Sequence, residues 1–180
     1  MTQTTTFLVL VPEEIKEISG AMRYAALSAQ KAGGNVALLA VVEPEDIGAW
    51  GGVDKVITDD AFERARQVVA HFSSFVKEVS GSDPLPLYMK GRKREVLVDV
   101  IKNEPGISAI VLTANAKENG QNSLIQYLTG QKGIQKLAIP LIIVPDSFYK
   151  EEEGKEEGAA EEGKEDDKSP TPKEDSGNEK

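Results

Sequence analysis

The sequence predicts an α/β domain built on a parallel sheet, and two observations carry this prediction. Short apolar runs such as residues 7–11 and 109–113 indicate strands that are buried on both faces, which is typical of parallel sheets. Segments with helical apolar spacing separate these runs along the chain. The resulting order βαβαβαβαβ implies crossover connections, parallel strands and helices on both faces of the sheet.

Five strands are predicted from apolar runs bounded by proline, glycine or charged residues. Proline cannot donate a hydrogen bond to a strand ladder, so Pro86 places the third strand near an edge of the sheet. In chain order, the predicted strands span residues 7–11, 36–42, 85–89, 109–113 and 141–144.

Four helices are predicted between the strands from apolar residues spaced three and four apart. A loop over residues 47–57 precedes the second and longest of them. In chain order, the helices begin at Ile15, at Thr58 or Asp59, at Lys93 and at Ser123, and they end at Gly33, at Gly81, at Asn103 and around residues 130–133.

The last 30 residues differ in composition from the rest of the chain. Residues 151–180 contain 13 of the 30 acidic residues and 5 of the 21 lysines and arginines, so most of the net charge of −9 lies there. Their only aliphatic side chains are Ala159 and Ala160, so burial cannot offset the conformational entropy that folding costs. Residues 1–148 are therefore predicted to form the folded domain, and residues 149–180 a disordered acidic low-complexity tail.

The composition argues against several classes of function. The chain has no cysteine, which excludes disulfides, thiolate metal sites and cysteine nucleophiles, and His71 is its only histidine. Residues 1–150 carry nearly equal numbers of acidic and basic residues, so nucleic-acid binding is not expected. No apolar stretch approaches the roughly 20 residues of a membrane span. We therefore expect a cytoplasmic protein without membrane contact.

One segment resembles the nucleotide-binding signature of the universal stress proteins. That signature is Gly, two residues, Gly, nine residues, Gly, then Ser or Thr, and the same register occurs here as Lys117, Gly120, Gly130 and Gln131. Three further segments resemble the family's first helix, second strand and final strand, and the likeness covers roughly residues 5–146. It is closest to bacterial forms with a Trp in the loop after the second strand, here Trp50. The segments are residues 20–25, 38–44 and 138–145.

The resemblance implies both a strand order and a ligand site. The order would be 3-2-1-4-5 in a five-stranded sheet of the adenine nucleotide alpha hydrolase-like type, and ligands bind where such an order reverses. ATP or another adenine nucleotide could therefore bind between strands one and four, although no cofactor is expected to be required. The resemblance assigns the base to the backbone near Val41, the ribose to Glu13, which replaces the family's Asp, and the phosphates to Lys117, Gly120, Gly130 and Gln131.

Each of these polar and glycine positions also has a purely structural interpretation. Glycines allow backbone N–H groups to approach phosphate, and the ammonium group of Lys117 could pair with phosphate in place of the first glycine. Alternatively, Gly120 and Gly130 are turn and helix-end glycines, and Lys117 is a solvated loop residue. Glu13 would then be a first-turn residue that the dipole of the first helix favours.

Three functions remain open from the sequence. The resemblance implies a non-catalytic stress-response protein that binds an adenine nucleotide weakly or not at all and pairs as a homodimer through its apolar final strand. The second is an acidic adaptor that displays residues 151–180 to unknown protein partners and binds no nucleotide. The third, a nucleotide-hydrolysing enzyme, is disfavoured because residues 12–15 lack the glycines of a phosphate loop.

Overall fold

The computed structural model describes residues 4–44, 54–114 and 119–148. Strands and helices alternate through these residues as the apolar pattern predicts. The elements are β1 (Thr6–Leu10), α1 (Gly20–Ala32), β2 (Asn35–Val42), α2 (Asp54–Ser80), β3 (Leu85–Lys90), α3 (Lys93–Asn103), β4 (Ile107–Ala114), α4 (Asn119–Thr129), α5 (Gln131–Ile134) and β5 (Leu141–Pro145). The predicted tail lies outside the described residues.

The five strands form one parallel sheet in the order β3-β2-β1-β4-β5. β1 is central and pairs with β2 on one side and with β4 on the other. The order therefore reverses between β1 and β4, and their carboxyl ends lie side by side. The predicted α/β class and strand order 3-2-1-4-5 are confirmed, and Pro86 lies in an edge strand as its chemistry requires.

The core has two layers, one on each face of the sheet. Helices α1 and α2 cover one face, and α3 and α4 cover the other, because successive strand residues point to opposite sides. On the first face, Met22 and Phe72 pack against Val9, Leu38 and Val111. On the second face, the buried residues that meet are Leu8, Leu39, Leu97, Val100, Ile110 and Leu128.

The start of α1 differs from the sequence prediction. The helix begins at Gly20 rather than near Ile15, which is 55% exposed. Ser19 is the N-cap, and its hydroxyl accepts a hydrogen bond from the Met22 N–H. A Cβ on Gly20 would lie 2.5 Å from the Pro145 carbonyl oxygen, so the close approach to the end of β5 requires glycine at this position.

Consequently, the interpretation of Glu13 as a first-turn residue of α1 is wrong. Glu13 precedes the cap Ser19 by more than a helical turn and lies in the loop after β1. The N–H groups of the first turn of α1 instead meet protein oxygens. Ser19 accepts from Met22, and the buried hydroxyl of Thr113 accepts from Ala21 at 3.2 Å.

Two other helices begin earlier than their sequence signals indicate. Helix α2 starts at Asp54, not at Thr58 or Asp59, and α4 starts at Asn119 rather than Ser123. The bounds of α3 agree with the prediction. Among the helices of the described segments, none combines the length and apolarity needed to cross a membrane.

Candidate functional site

An open cleft of about 800 Å³ lies at the carboxyl ends of β1 and β2, between the first turn of α3 and one face of α4. It is next to the point where the strand order reverses, which is where open α/β sheets bind ligands. Its walls carry both charged and apolar groups. They consist of residues 10–14 and Lys16 after β1, Glu43 after β2, residues 92–94, and Ser123, Leu124 and Tyr127 of α4.

Lys93 is the centre of an ion-pair cluster in this cleft. Its ammonium group pairs with the carboxylate of Glu13 and, at 3.1 Å, with that of Glu43. The Lys93 backbone N–H also donates to Glu43 Oε1 at 3.1 Å. The Lys93 side chain is 30% exposed, so the pairs are only partly screened by water. The cluster therefore ties together the loop after β1, the end of β2 and the start of α3.

The ion pairs shift the pKa values of Glu43 and Lys93. Burial by itself would raise the pKa of Glu43, but the hydrogen bonds from Lys93 and the positive charges of Lys93 and Arg94 hold that pKa below its ordinary value of 4.5. Burial by itself would lower the pKa of Lys93, but the hydrogen bonds and charges of Glu13 and Glu43 raise it above 10.5. Glu43 and Lys93 are therefore both charged at neutral pH.

Gly91 forms the turn that brings the start of α3 to the cleft. Its φ of 144° lies in the left-handed region, which glycine adopts without the cost that a side chain brings. Its N–H donates to the Val42 carbonyl at 3.0 Å, so the turn is fastened to the end of β2. This geometry directs Arg92 and Arg94, together with Lys93, towards the cleft.

The opposite wall of the cleft is one face of α4. The Arg94 guanidinium lies 5.5 Å from the centroid of the Tyr127 ring, a distance at which a cation is attracted to the ring face. The Tyr127 hydroxyl accepts a hydrogen bond of 3.5 Å from Lys136 Nζ. Arg94 is thereby held against the wall while it remains exposed to solvent.

A second cavity of about 340 Å³ lies on the other side of residues 11–14, against α2. Its walls include residues 40–42 of β2 and Ala61, Arg64 and Ala65 of α2. Val41 belongs to this cavity, and Glu13 lines both cavities. The loop after β1, residues 11–14, therefore separates the two spaces.

The structure brings together only some of the residues that the sequence indicates. Glu13 and Val41 meet at the second cavity, whereas Lys117 lies outside the described residues. Gly120 is in the first turn of α4. Gly130 has φ −70° and donates its N–H to the Gln126 carbonyl at 3.0 Å, which is the geometry of a helix end. The exposed Gln131 begins α5, and neither it nor Gly130 lines either cavity.

Sequence reasoning did not single out the residues that contribute most of the charge to the cleft. These are Glu43, Arg92, Lys93 and Arg94. A signal was available, because three basic residues follow Gly91 directly after a predicted strand, and Glu43 directly follows another. Residues at the carboxyl ends of parallel strands meet at one edge of the sheet, so this positional signal could have found them.

Two N–H groups in the first turn of α1 are already donated to protein oxygens. The first-turn N–H groups of Ala21 and Met22 donate to Thr113 and Ser19, so they are not directed at a ligand. Within residues 4–44, 54–114 and 119–148, no group of three or more histidine, aspartate or glutamate side chains is arranged to hold a metal ion. Side chains, several of them ion-paired, therefore supply the charges of the cleft.

Comparison with known proteins identifies the fold. No protein-family model matches the chain, and no curated protein sequence matches it. Solved structures do match. The universal stress protein UspA from Lactobacillus plantarum superposes with a TM-score of 0.57 and 17% identity over 80% of this chain and 99% of that one. A universal stress family protein from Burkholderia pseudomallei gives 0.56 and 17% over 81% and 98%.

A third structure is the universal stress protein from Archaeoglobus fulgidus in complex with dAMP, with a TM-score of 0.52 and 17% identity over 79% of this chain and 99% of that one. These matches span nearly the whole length of each relative. The parallel sheet, the strand order and the position of the cleft agree with this likeness. The chain has the fold of the universal stress proteins.

Proposed function

We propose that this domain is a non-catalytic, universal stress protein-like module that binds an adenine nucleotide in the cleft beside β1. The observation that carries the proposal is the pair of cavities that meet at Glu13, next to the reversal of strand order. The likeness to a universal stress protein in complex with dAMP supports the choice of an adenine nucleotide.

The two cavities suit the two ends of a nucleotide. The smaller one has apolar walls from Val41, Val42 and Ala61, as the flat face of a base requires. The larger one is open and carries cations, as a phosphate chain requires. Residues 11–14 line both cavities, so the ribose that joins the two ends would lie beside this loop, which carries Glu13.

Binding without turnover follows from the chemistry of the cleft. Both carboxylates that face Lys93 are engaged by its ammonium group, and the lowered pKa of Glu43 makes this group a weak base. A general base works best when its pKa is near the operating pH. We therefore propose that the cleft holds a nucleotide and does not activate water for its hydrolysis.

The experiment that tests binding is calorimetric titration with ATP and, for comparison, GTP. Ser123 is exposed and lines the cleft, so Ser123→Trp would fill the space between α3 and α4. Gln126 is exposed on the same helix but does not line the cleft, and Gln126→Trp is the matched control. We expect ATP to bind to the wild type and to Gln126→Trp, and not to Ser123→Trp. Equal ATP binding by all three proteins would place the site elsewhere.

The absence of turnover is tested by incubating the same three proteins with ATP and measuring released phosphate. We expect no release above the buffer control. Hydrolysis that Ser123→Trp abolishes and Gln126→Trp preserves would contradict the non-catalytic proposal, because contaminating enzymes would not respond to the cleft.

We also propose that the chain forms a homodimer through β5. Among the described residues, this strand pairs with β4 alone, and Ile143 at its centre is 42% exposed. An apolar edge strand tends to pair with another chain unless charge or proline protects it. The prolines at positions 140 and 145 flank the strand without interrupting residues 141–144.

A further inference from the structure

We propose that Arg92 and Arg94 form an anion subsite on the α3 side of the cleft, which takes the phosphate groups of the ligand. This inference rests on the proposed nucleotide binding, and it assigns the phosphates to the turn after β3 instead of the glycine-containing segment after β4. Both arginines line the cleft and both are exposed to solvent.

The two guanidinium groups remain available to bind a ligand, because the nearby carboxylates of Glu13 and Glu43 pair with Lys93. Glu13 and Glu43 both pair with the Lys93 ammonium group, which lies between the two arginines in sequence. Within the described part of the chain, the Arg92 side chain makes no ion pair, and it forms no cap bond to α3. The charge of Arg94 also acts on Glu43, but within the described segments neither arginine forms an ion pair, so both guanidinium groups can still donate to a ligand.

Arg94 is oriented by its neighbour before any ligand binds. Its guanidinium lies 5.5 Å from the Tyr127 ring centroid, and Tyr127 in turn accepts a hydrogen bond from Lys136. A guanidinium packed on a ring can still donate its N–H groups to a phosphate in the guanidinium plane. Holding a side chain in place beforehand reduces the entropy lost on binding.

Gly130, at the end of the glycine-containing segment, is not arranged to bind phosphate. The Gly130 N–H is already donated to the Gln126 carbonyl, where it ends α4. A Cβ at Gly130 would come within 3.0 Å of the same carbonyl oxygen, so close packing accounts for this glycine. The turn at Gly91, in contrast, has a left-handed φ and presents side chains to the cleft.

The test is calorimetry with three probes, namely ATP, adenosine and inorganic tripolyphosphate. The variant is Arg92→Gln/Arg94→Gln, and the control is Lys90→Gln, which removes an exposed cation just before Gly91 that does not line the cleft. We expect the double variant to weaken ATP and tripolyphosphate binding by about tenfold or more while adenosine binding stays unchanged. Lys90→Gln should change none of the three, and thermal unfolding should show that both variants fold.

The outcomes separate the subsite from the nucleotide proposal. ATP binding that the double variant leaves intact would overturn the subsite and leave the proposed function standing. A third outcome is that tripolyphosphate binds through the arginines, adenosine does not bind, and ATP binds no more tightly than tripolyphosphate. This outcome would support the anion subsite and contradict the proposed nucleotide binding. No binding of any probe to the wild type would overturn both.

Discussion

At the scale of single residues, Lys93 is the side chain on which the cleft depends most. It contacts carboxylates from two different loops and also starts α3. Its removal would leave Glu13 and Glu43 near each other without the ammonium group that bonds to both carboxylates. A hydrogen bond to a charged group is worth more than a neutral one, particularly where solvent is partly excluded.

We predict that Lys93→Met lowers the free energy of unfolding by about 1–2 kcal/mol, since Lys93 and Glu43 are partly shielded from solvent whereas Glu13 is half exposed. Lys90→Met is the control, because Lys90 is exposed and makes no ion pair within the described segments. Urea unfolding at neutral pH measures both. A Lys93→Met protein as stable as Lys90→Met would contradict the importance of the cluster.

The cluster also predicts a pH dependence. The folded-state pKa of Glu43 is lowered, so its contribution to stability is complete above its ordinary value of 4.5 and is lost as pH falls through the folded value. The folded-state pKa of Lys93 is raised, so its contribution is complete below 10.5 and is lost as pH rises through the folded value. The stability difference between wild type and Lys93→Met should therefore be constant near neutrality and shrink at both extremes. Urea unfolding at pH 3, 7 and 11 checks this, and a difference independent of pH would contradict it.

At the scale of elements, the turn between β3 and α3 positions the cationic wall. Gly91 has φ 144°, and a Cβ there would also lie 3.0 Å from Val96 Cγ2. We predict that Gly91→Ala costs about 1–3 kcal/mol of stability because a side chain strains this conformation. Gly106→Ala is the control, since Gly106 has neither a left-handed φ nor an atom within 4 Å of its added Cβ. Equal melting temperatures for the two variants would show that the turn carries no strain.

The edge strand β5 gives the second prediction at this scale. From the sequence, Ile142 and Val144 are equally good positions for a disruptive charge. In the structure, Val144 is 3% exposed and belongs to the core on the α1 side, so a charge there would unfold the domain. Ile143, in contrast, is exposed.

We therefore expect Ile143→Lys to convert a dimer into a folded monomer, because it places a charge at an edge that pairs with its copy. Ile134→Lys is the matched control, since Ile134 is 57% exposed on α5 and not on β5. Light scattering at micromolar concentration measures the mass of each protein. A monomeric wild type, or a dimer that Ile143→Lys leaves unchanged, would rule out this interface.

At the scale of the whole molecule, charge is distributed unevenly. Residues 151–180 hold 13 of the 30 acidic residues and no large aliphatic side chain. We predict that deletion of these residues changes the melting temperature by no more than a few degrees, because burial of apolar surface is the main source of stability. Circular dichroism on the truncated and full-length chains tests this. A larger fall would show that the segment contributes to the folded state.

The α/β class could be predicted from the sequence alone, because short apolar runs and helical apolar spacing depend only on which residues are buried. It also predicted β3 as an edge strand from Pro86, and α3 in full. The resemblance supplied the strand order, since the local pattern does not specify which strands pair. It also indicated Glu13 and Val41 as ligand contacts, which stays a prediction, and both residues line the second cavity.

The start of α1 and the side chains that form the cleft could not be predicted from the sequence, because both depend on tertiary contacts. The start at Gly20 depends on contacts with Thr113 and Pro145, which are more than 90 residues away in the chain. The ion pair between Glu13 and Lys93 joins residues 80 apart, so no local pattern could reveal it. Sequence spacing also indicated Gly130 as a phosphate contact, which stays a prediction; in the structure the Gly130 N–H is donated to the Gln126 carbonyl at the end of α4. Packing between distant segments brings these charged residues together. The sequence shows which residues are charged, but not which of them lie close in space.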